Sequence, residues 1–196
     1  MKTSDAKRPA TSKQVYQLKI TLVGAKPKIW RRVLVPDAIK LGSLHHVIQT
    51  AMGWQGGHLH NFEIDGTYYS YPHPDTDWED TGDVDYRRIT LKKVAPATKA
   101  KFSYLYDFGD GWEHEIAVEK IIEGTPTPLP PLCVGGERAC PPEDVGGVWG
   151  YAEFLKAIGD PKHAEHAHYL DWIGGAFDPE AFDLAAVNQA LASIRL

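Results

Sequence analysis

From Tyr16 the chain alternates: Tyr16, Leu18, Ile20 and Leu22 fall on one side, and Gln17, Lys19 and Thr21 on the other. That period of two is the pattern of a strand with one buried face. Gly24 to Pro27 supplies turn residues, and Ile29 to Val35 reads as a second strand, hairpinned to the first and ended by Pro36. The period then lengthens. Ser43 offers a capping hydroxyl, Leu44, Val47, Ile48, Ala51 and Met52 recur along one helical face, and Gly53 stands where a helix stops. Residues 58–64 return to alternation. So do Phe102 to Tyr106 and Trp112 to Ile122, and the Asp110-Gly111 pair between them signals a hairpin.

These elements predict an α+β fold: a mixed or antiparallel sheet of about five strands, opening β-β-α-β in the order of a β-grasp arrangement. The C-terminal third reads as helical. Tyr151, Phe154, Leu155 and Ile158 mark one face there, Asp160-Pro161 and Asp178-Pro179 each pair a capping carboxylate with a helix-starting proline, and Gly174-Gly175 separates the last two helices. Residues 123–150, crowded with proline and glycine, read as one long irregular loop. Residues 1–14 are polar and aperiodic, the pattern of a disordered arm, which leaves 15–196 as a single domain.

Composition changes this picture in three places. No apolar run approaches the roughly 18 residues a membrane span needs, and the N-terminus lacks the apolar centre of a secretory signal, so a cytoplasmic protein without a membrane partner is expected. Cys133 and Cys140 are too few for a disulfide framework and are expected as reduced thiols. A net charge of -5 argues against a broad phosphate-binding surface. One local basic cluster, Arg87, Arg88, Lys92, Lys93, Lys99 and Lys101, is the best footprint for nucleic acid, competing with a charged strand edge that discourages pairing. Just before it, Asp75, Asp77, Glu79, Asp80, Asp83 and Asp85 crowd a loop. Asp80 occupies the glycine position of a calcium loop, so a solvated acidic segment is expected.

Strand parity singles out the candidate chemistry. His58 and His60 share a face with Phe62 and Ile64, and His114 shares one with Trp112, Ile116 and Val118. Imidazoles turned inward need hydrogen-bond partners, a metal or a pocket. In one reading they bond to carbonyls and carboxylates and fix the hairpin. In the other, His58, His60 and His114 surround a divalent metal or a polar substrate. Asp107 and Asp110 are the nearest carboxylates, and Glu143 and Asp144 in the long loop complete the candidate pocket. His163, Glu165, His166 and His168 read as the solvated face of a helix beginning near Pro161.

Five ordered motifs then carry a resemblance: Trp30-Arg31-Arg32; Leu59-His60-Asn61-Phe62; Tyr106-Asp107-Phe108-Gly109-Asp110-Gly111-Trp112-Glu113-His114; Ala139-Cys140-Pro141-Pro142-Glu143-Asp144 with Gly146-Gly147; and Phe177-Asp178-Pro179-Glu180. Together they resemble the plasmid pRiA4b ORF-3-like family, also met as transposon passenger or resolvase-like proteins, over about residues 15–195. The resemblance implies a plasmid or mobile-element setting for a largely uncharacterised family. Many relatives place a further cysteine where this chain has Val145, which weakens a cysteine-based metal site. Three functions follow as expectations: a binding or accessory module for a protein or nucleic-acid partner, with its surface on the 107–114 hairpin and the 133–147 loop; a metal-dependent hydrolase; or a structural oligomerisation domain.

Overall fold

The computed structural model describes residues 14–72, 82–124 and 130–194. The expected N-terminal arm, apart from Gln14, and the stretch Asp75 to Asp80 lie outside the described residues. Eight strands form one sheet: β1 Val15–Leu22, β2 Trp30–Pro36, β3 His60–Ile64, β4 Thr67–Ser70, β5 Val84–Asp85, β6 Lys101–Tyr106, β7 Trp112–Ile122 and β8 Leu132–Glu137. Their spatial order is β5-β4-β3-β6-β7-β1-β2-β8. Neighbours run antiparallel except the short β4–β5 pair.

The alternation in β1 has its expected cause. Tyr16, Leu18, Ile20 and Leu22 are buried together with Leu44, Val47, Ile48 and Ala51 of the helix α1, Leu41–Met52. The opposite face of the sheet is polar: Arg32 forks onto Glu119 at 2.6 and 2.9 Å, Gln17 donates to the same carboxylate at 2.7 Å, and Lys101 pairs with Glu115 at 3.0 Å. One covered face and one wet face is the usual economy of an antiparallel sheet.

The sheet has eight strands rather than about five. β4 and β5 are too short to show a period, and β8 lies inside the stretch that its glycines and prolines made look irregular. β8 holds its extended form by pairing with β2 and by the Asn188 side chain, which accepts from Cys133 N at 2.7 Å and donates to Cys133 O at 2.9 Å. Strand order also departs from the expected arrangement. β3 does not return beside β1, because β6 and β7 lie between them.

Several helix starts move as well. α1 begins at Leu41, where Leu41 N donates to Ile89 O at 2.9 Å, so a neighbouring segment satisfies an end amide and Ser43 is not the cap. A 3-10 turn at Tyr86–Arg88 leads to the short α2, Leu91–Val94. α3 spans Gly147–Gly159, α4 His166–Trp172 and α5 Leu184–Leu191. Asp160 and Asp178 accept from Lys162 N and Glu180 N, each at 2.9 Å, and so close turns instead of starting helices. The helix-capping carboxylate is Asp183, which accepts from Ala185 N and Ala186 N. Among the described residues no helix is long and apolar enough to cross a membrane.

Candidate functional site

Three segments distant in sequence meet at one end of the sheet. The β6–β7 hairpin turns through Asp107, whose φ is 56°, and the turn is closed by Gly111 N donating to Asp107 O at 2.7 Å and Gly109 N to Asp107 Oδ1 at 2.9 Å. The loop before α3 is drawn onto this hairpin. Gly146 N donates to Asp110 Oδ2 at 3.1 Å, and a Cβ at Gly147 would sit 2.3 Å from Asp110 O, so only glycine permits the approach. The chain leaving α1 completes the junction. Trp54 Nε1 donates to Pro141 O at 3.0 Å, Gln55 N to Glu143 Oε1 at 3.0 Å, and Asp107 N to Leu59 O at 2.9 Å.

His58 stands at the centre. Its Nδ1 lies 3.8 Å from Asp107 Oδ2, and its Nε2 lies 3.6 Å from both Glu143 Oε2 and Asp144 Oδ1. One ligand atom each from His58, Asp107 and Asp144 falls within 4.8 Å of the others, the group of this kind found among the described residues. Asp107 is nearly buried, His58 is about one-third exposed and Asp144 mostly exposed, so the cluster opens to solvent on one side. Asp144, like Asp107, has a left-handed backbone, with φ 58°. Behind them, the Tyr106 hydroxyl donates to Glu143 at 3.2 Å. Burial first, and the nearby Glu143 charge second, raise the Tyr106 pKa to about 12, so the phenol keeps its proton for that bond.

The other two histidines take up separate places. His60 and His114 face the core side, but β6 lies between their strands, and two strand spacings come to about 10 Å. Their neighbours differ accordingly. His60 Nε2 meets the Tyr86 hydroxyl at 2.7 Å, while its ring stacks on His45 at 3.5 Å. His114 is fully buried, with Nδ1 3.3 Å from Tyr104 O and its ring edge-on to Trp54. The metal set His58, His60 and His114 is thereby divided, and Asp107 and Asp144 stand with His58 instead. Asp110 serves the loop contact.

Sequence reasoning missed the polar knot under α1. Gln49 Nε2 donates to the Tyr104 hydroxyl at 2.9 Å, leaving that hydroxyl's proton for His45 Nδ1 at 2.7 Å. His45 and Gln49 fall on the buried stripe with Leu41, Leu44 and Ile48, and polar residues at those positions were the available signal. Burial depresses all three core imidazoles, His45 to about 2 and His60 and His114 to about 4, so they are neutral near pH 7. Among the described residues four buried polar side-chain atoms have no hydrogen-bond partner: Gln49 Oε1, His60 Nδ1, Trp112 Nε1 and His114 Nε2.

The remaining sequence candidates separate. Lys101 pairs with Glu115 on the wet face, Lys92 with Asp37 at 3.4 Å, and Arg87 forks onto Asp85. Three of the six basic residues are thus each paired with a carboxylate. Cys133 and Cys140 are free thiols whose pKa values burial raises, against the use of either as a nucleophile. His166 Nδ1 meets Ala157 O at 2.8 Å and ties α4 to α3.

Known proteins agree with this architecture. A crystal structure of a protein of unknown function, MM3350 from Methanosarcina mazei Go1, superposes with a TM-score of 0.78 at 35% identity, covering 89% of this chain and 98% of that one. The uncharacterized protein y4hQ of Sinorhizobium fredii (strain NBRC 101917 / NGR234) is 44% identical over 179 residues, 90% of each chain. The model of the plasmid pRiA4b ORF-3-like protein family matches residues 14–186, and the chain belongs to that family.

Proposed function

We propose that the chain acts through a divalent metal ion held by His58, Asp107 and Asp144, with metal-assisted hydrolysis as its chemistry. The observation that carries the reading is the convergence of those three ligand atoms within 4.8 Å of one another at a site open on one side. One imidazole with two carboxylates suits Mn²⁺ or Zn²⁺, and three protein ligands leave positions for water and substrate. The metal would lower the pKa of a bound water. Glu143, 3.6 Å from His58, is then the group suited to take the proton that the water releases on attacking an ester, which yields an acid and an alcohol. Tyr106 and Gln55 N orient that carboxylate.

Metal analysis and calorimetry on chelator-stripped protein refilled with Mn²⁺ or Zn²⁺ test the reading, followed by a panel of phosphate and carboxylate esters. Asp107→Asn should weaken metal binding by more than the roughly 10–100-fold typical of losing an outer partner. Glu143→Gln should retain the metal and lose turnover. Absence of metal binding in the unaltered protein overturns the proposal.

A second reading is favoured by one observation. Phe108 and Leu59, 52 and 44% exposed, belong to two of the cluster's segments, and Trp149, 86% exposed, lies in the first turn of α3 just after the third. Apolar side chains left in water at such a place suit a binding or accessory module with a protein or nucleic-acid partner, in the plasmid setting of the family name. Stoichiometric metal without ester hydrolysis would favour this second reading.

A further inference from the structure

A second concave site lies at the other end of α1, a cleft of about 480 Å³ lined by Lys40, Asp85, Arg87 and Arg88. α1 has 12 residues and so is about 18 Å long. Lys40 caps its N-terminus, whereas the His58 segment leaves its C-terminus. Charge in the cleft is lopsided. Among the described residues Asp85 is its one carboxylate and is already spoken for: Arg87 Nε lies 3.0 and 2.9 Å from its two oxygens, and an Arg87 terminal nitrogen lies 2.6 Å from Oδ2. Those bonds, with the field of Arg88 as a smaller cause, hold Asp85 below the usual carboxylate range, so it stays an anion matched to Arg87. Lys40 and Arg88 are exposed and make no ion pair among the described residues. Two uncompensated cations therefore face one cavity in a chain whose net charge is -5.

We propose that this cleft binds a phosphate group, held by Arg88 and Lys40 with Arg87 beside them as a third positive charge. Guanidinium groups present paired N–H donors that match phosphate oxygens, and Lys40 adds a point charge. Next to the lining residue Arg87 stands a half-exposed ring, Tyr71, with the Arg87 guanidinium over it at 5.5 Å from its centroid. Phosphate with an adjacent aromatic face is the chemistry shared by a free nucleotide and by the backbone of a single-stranded nucleic acid. Of the six basic residues in the sequence cluster, only Arg87 and Arg88 take part. Lys101 is committed to Glu115 and Lys92 to Asp37, while Lys40, outside that cluster, joins them.

The test uses the full chain in chelator, so that a failure of the His58 metal reading cannot affect it. Inorganic pyrophosphate, adenosine monophosphate and a labelled single-stranded oligothymidylate are titrated against the protein and three variants. Arg88→Gln should weaken all binding by about tenfold. Lys101→Gln, which lies on the sheet's wet face, should leave it unchanged. Asp85→Asn should tighten binding several-fold by releasing Arg87, a gain that a merely structural role for the cleft would not give. If the two small anions displace the oligonucleotide, a free nucleotide is the source. If only the oligonucleotide binds, with affinity falling steeply between about 50 and 200 mM salt, the source is a nucleic-acid backbone. No saturable binding of any probe up to about 10 mM, or an Arg88→Gln variant that binds like the unaltered chain, overturns the proposal.

Discussion

His114 should make the fold sensitive to mild acid. Its ring is fully buried, Nε2 has no partner, and Nδ1 has only a long contact to Tyr104 O, so a proton added there would bring an uncompensated charge into the core. Burial lowers its pKa from 6.5 to about 4. The unfolded chain therefore takes up the proton first as pH falls. Stability contributed by the neutral ring is present above about 6.5 and is lost progressively as pH drops toward about 4. Between pH 7 and pH 5 the loss from this one residue is about 2 kcal/mol. His60 and His45 push in the same direction, but their stacked rings titrate together and their effects will not simply add. The assay is urea unfolding of the unaltered protein and His114→Phe at pH 7 and pH 5. Carboxylates shared by both proteins cancel, so the variant should lose about 2 kcal/mol less than its parent over that interval. Losses equal to within ~0.5 kcal/mol would refute the reasoning. If the variant fails to fold, an NMR titration of the native imidazole decides instead: the ring must remain neutral at pH 5.

Two further substitutions probe the framework and the cluster. Arg31 is 2% exposed and gives its guanidinium to the carbonyls of Ala51, Trp30, Glu137 and Arg138, so Arg31→Leu should cost roughly 3 kcal/mol or more and Arg31→Lys roughly 2. A lysine variant with an unchanged urea midpoint would contradict this. Asp144 carries a left-handed backbone, so Asp144→Gly should raise stability by about 0.5–1 kcal/mol while weakening Mn²⁺ binding. Calorimetry of unfolding and of metal binding reads both, and a destabilised variant would show that Asp144 serves folding.

Local patterns were legible where one face of an element is buried. β1, β6 and β7 alternate because α1 covers their apolar side, and the inward parity of His60 and His114 follows from the same rule. Strand order was not legible, because pairing is set by contacts far apart in sequence. Without it, nothing revealed that β6 separates those two imidazoles or that β8 closes the edge beside β2. Glycine misled in the 133–147 stretch. Gly135 and Gly136 read as breakers, yet a Cβ at Gly136 would lie 2.6 Å from Phe182 and 2.8 Å from Arg31, so the residue is small because the strand is crowded. His45 is hard to see in the sequence because the apolar members of α1 alone already make a complete helical stripe.

The cluster around His58 also has an electrostatic logic. Carboxylate oxygens of Asp107 and Asp144 within 4.8 Å of one another repel by on the order of 3 kcal/mol at an effective dielectric near 20, and by less where Asp144 meets water. Glu143 adds a third negative charge on the Asp144 side of the imidazole. Among the described residues Asp144 makes no hydrogen bond that holds the loop, and its backbone sits in a conformation glycine would adopt more readily. The ties Asp110 to Gly146, Trp54 to Pro141 and Asp107 N to Leu59 use other atoms, whereas Asp107 Oδ1 closes the hairpin turn and Glu143 Oε1 accepts from Gln55 N. Asp107 Oδ2 and the Asp144 carboxylate, which repel one another from left-handed residues and take no part in those ties, are arranged for a cation. A divalent metal relieves that repulsion and competes with protons for imidazole and carboxylate ligands, so metal affinity should rise with pH.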